Sequence, residues 1–156
     1  MAMNFGACRF GFWWVHVNWN RDAIFRVRFL SSGDERAVPA AIRRYLRGIP
    51  TDLTVLPTVA IDESTPFASI YQAVRGIPYG KTATYGEIAE TVGTSPRVVG
   101  MAMKRNPTPL IVPCHRVVSQ NGIGGFSPSV ELKIALLALE RGKNEIIEKK
   151  DTEYRN

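Results

Sequence analysis

Residues 84–105 read TYGEIAETVGTSPRVVGMAMKR, and the spacing of their caps and breakers decides the fold of the second half of the chain. Thr84 offers a hydroxyl N-cap to a short helix over residues 85–92, with Ile88, Ala89 and Val92 inward. Gly93 breaks that helix. Thr94 or Ser95 caps the next one, Pro96 starts it, and it runs to about Arg105. Helix, short glycine-containing turn, helix is the arrangement of a helix-turn-helix, although helical hairpins in plain cores share it. At about 100° per residue, Val98, Val99, Ala102 and Met103 form an arc suited to burial. Arg97, Gly100, Met101, Lys104 and Arg105 form the opposite arc. Glycine inside a helix costs about 1 kcal/mol against alanine, so Gly100 on the open arc needs a reason. Close approach of a nucleic-acid backbone is one; packing against another helix is the other.

Upstream, Thr65-Pro66 has the form of a hydroxyl N-cap followed by proline at the first helical position. Phe67, Ile70, Tyr71 and Val74 give that helix its apolar stripe, and Gly76 and Pro78 end it. Residues 10–30 predict a β-hairpin. Trp13, Val15, Val17 and Trp19 alternate onto one face, as do Phe25, Val27 and Phe29 after a turn at Asn20-Arg21-Asp22. A helix over Arg36 to Arg47 follows, with Pro39 near its first turn and Ile42, Tyr45 and Leu46 on one side. Residues 48–66 are rich in Pro, Thr and Asp, which places a domain boundary near residue 62. The expected fold class is α+β: a small N-terminal β-hairpin/sheet domain with a helix (1–62), then a mainly helical domain carrying the helix-turn-helix (63–156).

A chain of 156 residues is long enough to bury a core unaided. Its first nineteen residues lack the pattern of a secretory signal, and no run reaches the roughly 18 apolar residues of a membrane span. A soluble, reducing, cytoplasmic setting is expected (nuclear in a eukaryote), with Cys114 a free thiol. The net charge is +6. Between Arg75 and Arg116 lie Lys81, Arg97, Lys104 and Arg105 against only Glu87 and Glu90, so basic character gathers where the motifs are. That suits phosphate contacts, and equally a solvated helix face. The mixed-charge tail 143–156 reads as a fraying end.

The chemistry centres on the apolar run Leu110-Ile111-Val112, which ends in Pro113-Cys114-His115-Arg116. A cysteine is usually a small buried hydrophobe. This one has a rigid proline before it and a histidine and arginine after it, conditions that raise the thiolate fraction. In an extended segment Cys114 and His115 point to opposite sides, so proton transfer between them needs a bridging water or a turn. The base needs an orienting partner, and a helix from about Ser129 to Arg141 offers Glu131 and Glu140, the latter facing inward.

Pro113-Cys114-His115-Arg116-Val117-Val118, preceded by Asn106-Pro107 and the Arg97-to-Met103 helix, resembles the O6-alkylguanine-DNA alkyltransferase family (methylated-DNA–protein-cysteine methyltransferases). Asn121-Gly122-Ile123-Gly124-Gly125-Phe126-Ser127 resembles that family's lid, and the likeness covers residues 64–142 in order and spacing. The resemblance implies a ribonuclease H-like N-terminal domain and a winged-helix-like C-terminal one. It makes Cys114 the acceptor of an alkyl group from O6 of guanine in double-stranded DNA, with O4 of thymine left open. His115 becomes the base acting through water and Glu140 its orienting carboxylate, with Asn106 bracing the turn. Arg97 would fill the gap left by a flipped nucleotide, and Gly100 would let the helix approach the minor groove. Tyr85 would crowd the nucleotide's phosphate and bond the base. Met103, Pro109 and Phe126 would wall the pocket, Ser127 would supply a backbone donor, and the carbonyls of Cys114 and Val117 would read the exocyclic amine. The reaction implied is single-turnover and needs no cofactor, and the protein is expected to act as a monomer.

Phe126 stands where many relatives have tyrosine, so a hydroxyl contact is lost there. Cys8 and His16 alone are too few for the usual four zinc ligands, and no metal is expected. Three other readings stay open. They are a damage-binding module that flips lesions without repair, a helix-turn-helix regulator, and a cysteine hydrolase; the presence of Cys114 counts against the first.

Overall fold

A computed structural model describes residues 2–142; the tail expectation for 143–156 lies outside them. Three antiparallel strands open the chain in sequence order: β1 (Asn4–Phe10), β2 (Trp13–Trp19) and β3 (Ile24–Leu30). The hairpin is as expected, but β1 is an addition. Its buried residues are Gly6, Ala7 and Cys8, consecutive and small, so no period-2 alternation marks them. Val15 pairs with Phe29 and Val17 with Val27, and all are buried. A register shift at Asn18/Trp19 then puts Ile24 opposite Trp19. The extra residue flips the parity, so Ile24 takes the core place expected of Phe25.

Helix α1 (Ala40–Leu46) begins four residues later than the expected Arg36. Arg36 and Ala7 exchange backbone hydrogen bonds at 3.0 and 2.9 Å, which commits the segment before Pro39 to the sheet edge. Ile42, Tyr45 and Leu46 are buried, as their spacing predicts. They join Val15, Val17, Val27 and Phe29 in a cluster that also takes Leu110, Ile111, Leu132 and Leu136. The main core therefore draws on both sides of residue 62. Each such side chain contributes roughly 1.5–3 kcal/mol on burial.

Helix α2 (Ala68–Arg75) also starts late, with Phe67 in place of Thr65 at the N-cap. The Thr65 hydroxyl is spent elsewhere, donating to the Val59 carbonyl at 3.0 Å. Two-residue strands β4 (Ala83–Thr84) and β5 (Val117–Val118) pair in parallel. Between them lie α3 (Tyr85–Val92) and α4 (Pro96–Lys104), and α5 (Val130–Glu140) closes the described chain. Thr84 caps α3 in a full capping box with Glu87, and Gly93 ends it at φ 86°, a left-handed conformation that favours glycine. Ser95, of the two candidates, caps α4. No helix among the described residues is long and apolar enough to cross a membrane.

Candidate functional site

Helices α3 and α4 pack on α2 through Ile70, Tyr71, Val74, Ile88, Ala89, Val99 and Ala102. That burial fixes which face of α4 is left outward: Arg97, Met101, Lys104 and Arg105 are exposed. A Cβ built on Gly100 meets nothing within 4 Å, so no helix packing inside this structure accounts for the glycine.

The turn leading to Cys114 is held by side chains that bond its backbone. Asn106 donates from Nδ2 to the Val112 carbonyl at 2.9 Å, and its Oδ1 accepts from the Thr108 amide at 3.0 Å. Within this brace Leu110 sits at φ 80°, left-handed and unusual for a non-glycine residue. Such a conformation costs on the order of 1–3 kcal/mol and persists where the surroundings over-determine it. Residues Cys114–Arg116 form a 3-10 turn, not the extended segment expected. Adjacent side chains therefore do not alternate to opposite sides as they would in a strand.

Behind the cysteine lies a closed polar cluster. His115 Nε2 is 2.6 Å from Glu140 Oε2, with both side chains almost wholly buried. Arg116 donates from Nε to Glu140 Oε1 and from Nη2 to Oε2, each at 2.9 Å, and from Nη1 to the Ile77 carbonyl at 2.9 Å. The Gly80 amide donates to Glu140 Oε1 at 3.0 Å, and the Tyr45 hydroxyl to Oε2 at 2.5 Å. Burial pushes the Glu140 carboxyl up, but His115 and Arg116 outweigh it and hold it well below the ordinary carboxylate range. For His115 burial wins over Glu140, so the ring is neutral at rest. With Nε2–H given to the carboxylate, Nδ1 keeps its lone pair. It is the one buried side-chain nitrogen or oxygen among the described residues without a hydrogen-bond partner.

Burial also pushes the Cys114 thiol up, against the pull of its Asn106 hydrogen bond and of Lys133. This corrects the expectation of a raised thiolate fraction. The sulfur rests as a thiol, so any reaction as a thiolate would need a base to take its proton.

Cys114 lines a groove of about 840 Å³ together with Asn106, Tyr85, Met103, Pro109, Phe126 and Ser127. The groove continues along Arg97, Gly100, Met101 and Lys104 of α4, and β3 contributes Arg28 and Phe29. Gly124, at φ 77°, lets the 121–127 segment lie on Tyr85: a Cβ there would stand 3.1 Å from the Tyr85 ring. Lys133, fully buried on α5, donates to the carbonyls of Val117 at 2.7 Å and Gly125 at 3.1 Å, tying this segment to β5. Burial drives its amine down to about 8, against the raising effect of Cys114.

A thiol thus opens onto a groove edged by a basic helix, with an imidazole and a carboxylate behind it. A family model described as the 6-O-methylguanine DNA methyltransferase DNA-binding domain matches residues 66–142. Residues 66–142 are thus a domain of the O6-alkylguanine-DNA alkyltransferase family.

Relatives include the methylated-DNA–protein-cysteine methyltransferase of Metallosphaera sedula, 47% identical over 96 residues, which are 62% of this chain and 61% of that protein. The one from Saccharolobus solfataricus is 58% identical over 72 residues, 46% of this chain and 48% of the relative. The chain is thus matched to about half to three-fifths of the length of these curated relatives. Among alkyltransferases of known structure, the Mycobacterium tuberculosis OGT in complex with DNA superposes with a TM-score of 0.75 at 26% identity, covering 94% of this chain and 98% of that one. The O6-methylguanine-DNA methyltransferase of Pyrococcus kodakaraensis gives 0.68 at 28%, covering 89% and 99%. The α+β architecture of these alkyltransferases, a small antiparallel sheet with helices, is the one found here.

The alkyltransferase residues expected from sequence mostly converge. Cys114, Asn106, Tyr85, Arg97, Gly100, Met103, Pro109, Phe126 and Ser127 line the one groove, while His115 and Glu140 stand behind it. Val117 does not line it; it is fully buried, and its carbonyl accepts from Lys133. Glu131, the other carboxylate considered, caps the start of α5 with Ser129. Cys8 packs in the main core, and His16 Nε2 lies 2.9 Å from the Ser32 carbonyl. The sequence does not single out Tyr45 or Lys133, nor Arg116 as a partner of Glu140. A lysine inside Leu132-Lys133-Ile134-Ala135-Leu136-Leu137 is the one signal that was available, a charge in an apolar helix.

Proposed function

We propose that this chain repairs double-stranded DNA by moving an alkyl group from O6 of guanine onto Cys114, once per molecule. The observation that carries the reading is the unpartnered His115 Nδ1, buried beside a groove-lining thiol and backed by Glu140. The basic face of α4 meets the phosphates in the minor groove, where Gly100 permits close approach. Turning the nucleotide out costs a few kcal/mol, and Arg97 fills the space it leaves. His115 accepts the thiol proton through a water at Nδ1. The sulfur then attacks the alkyl carbon in line, the carbon–O6 bond breaks, and its electron pair leaves with the purine. Tyr85 donates a proton or hydrogen bond to the charge developing there. The Ser127 segment and the Cys114 and Val117 carbonyls read the base, and Met103, Pro109 and Phe126 enclose it. The product thioether is not hydrolysed, so no turnover follows, and the reaction needs no metal or cofactor. Alkylated thymine O4 fits the same chemistry.

In this reading residues 1–62 and 63–156 are the two functional halves, and the protein works as a monomer where DNA is, in the cytoplasm or nucleus. We read the three-stranded sheet with α1 as ribonuclease H-like, since consecutive antiparallel strands lead into a helix. We read α3–α4 with the β4–β5 ladder as winged-helix-like. The test is stoichiometry: with DNA carrying labelled O6-methylguanine in excess, label on protein must saturate at one per chain. Continued product formation beyond that, or label on a Cys114→Ala variant, sinks the proposal.

A further inference from the structure

Tyr45 belongs to α1, in the half of the chain that carries none of the expected site residues, yet its hydroxyl reaches the cluster behind Cys114. It donates to Glu140 Oε2 at 2.5 Å, and the Tyr45 hydroxyl oxygen itself lies 3.2 Å from His115 Nε2. An ionised carboxylate accepts only, so the proton between His115 and Glu140 is on Nε2. The Tyr45 oxygen is then a second acceptor for that proton, and Nδ1 is left as the free lone pair. We propose that Tyr45 is a positioning residue for proton transfer from Cys114, setting the tautomer and the base strength of His115 through its hold on Glu140. The inference rests on the alkyl-transfer reading for its purpose, while the geometry stands without it.

The direction follows from charge sharing. A carboxylate that accepts a hydroxyl proton has less negative charge to offer its other partners. Removing the hydroxyl gives Glu140 more fully to His115 and favours the imidazolium. The other groups facing the ring oppose protonation: Arg116 from the same turn and Lys133 from α5 both disfavour the charged form. Tyr79, whose ring lies 6.0 Å edge-on to Tyr45, completes the surround beside Arg116. Burial and Glu140 hold the Tyr45 hydroxyl well above its ordinary range, so it remains a neutral donor at working pH.

Histidine-labelled full-length protein, free of DNA, provides the test by nitrogen NMR. The chain has two histidines, His16 and His115, and His16 on β2 serves as an internal reference. We expect His115 in the Nε2–H tautomer. In Tyr45→Phe its midpoint should rise by about half a pH unit or more, with His16 unmoved. The acidic limb of single-turnover methyl transfer should move by the same amount. Tyr45→3-fluorotyrosine keeps the ring and strengthens the donor, so it should shift the midpoint down, and it decides the matter if the Phe variant fails to fold. An Nδ1–H tautomer, an unmoved midpoint in either folded variant, or a uniform rate loss with the limb in place would overturn the proposal. A wild type that titrates as expected but takes no methyl would instead refute the alkyl-transfer reading and leave the Tyr45 assignment intact.

Discussion

Glu140→Gln keeps the shape of the side chain at the centre of the cluster and removes its charge. Glu140 accepts from the Tyr45 hydroxyl, the Gly80 amide, His115 Nε2 and the Arg116 guanidinium. A glutamine presents one oxygen and one donor NH₂, so at least one of these groups faces a donor. Arg116, 3% exposed, is left as a buried cation without its counter-ion. Breaking such a pair costs about 3–5 kcal/mol, because the surviving charge stays desolvated. In a protein of this length about 1 kcal/mol moves the melting temperature by roughly 2–4 °C, so the expected drop is on the order of 6–20 °C. As pH falls, the two titratable groups of the cluster pull the gap in opposite directions. Glu140 is held below its unfolded value, so its contribution is complete above the unfolded value near 4.3 and fades as pH falls toward the folded one. His115 works the other way: Glu140 favours its imidazolium, so removing the carboxylate makes acid titration of the buried ring costlier in the variant below about pH 6.5. Calorimetry at pH 7, where Glu140 is ionised and His115 neutral, reads the drop. A drop below about 2 °C at pH 7 would refute this account of the cluster.

Gly100→Ala should stabilise the free protein by up to about 1 kcal/mol, since its Cβ meets nothing within 4 Å, while weakening binding to alkylated duplex DNA; unchanged affinity would remove the close-approach role. Ile24→Ala should cost about 2–5 kcal/mol in denaturant unfolding and Phe25→Ala clearly less, and the reverse order would refute the bulge that seats Ile24 in the core. Lys133→Met keeps the volume but drops the bonds to Val117 and Gly125, so amides of 121–127 should exchange faster with solvent and methyl transfer should slow; unaltered exchange there would deny Lys133 its anchoring role.

The parts legible in the sequence are those set by local chemistry. Thr84, Gly93, Ser95 and Pro96 bound α3 and α4 because caps and breakers act within a few residues. What sequence hides is what neighbours decide. Thr65 has the form of a cap, but its hydroxyl finds the Val59 carbonyl. Strand β1 turns small residues inward and leaves no alternation to read. At the site, motif and helix phase point to Cys114, His115 and Glu140, which the fold brings together, whereas Tyr45 and Arg116 join them only because folding brings α1 and the Cys114 turn onto one carboxylate. The thiol's resting state is hidden for the same reason: its charged neighbours are visible in sequence, and its burial is not.

Intact-mass analysis with peptide mapping, after incubation with duplex DNA carrying O6-methylguanine, tests the central claim most directly. The account predicts one added methyl per chain, located on the sulfur of Cys114. An unmodified chain, or a methyl on any other residue, would contradict it.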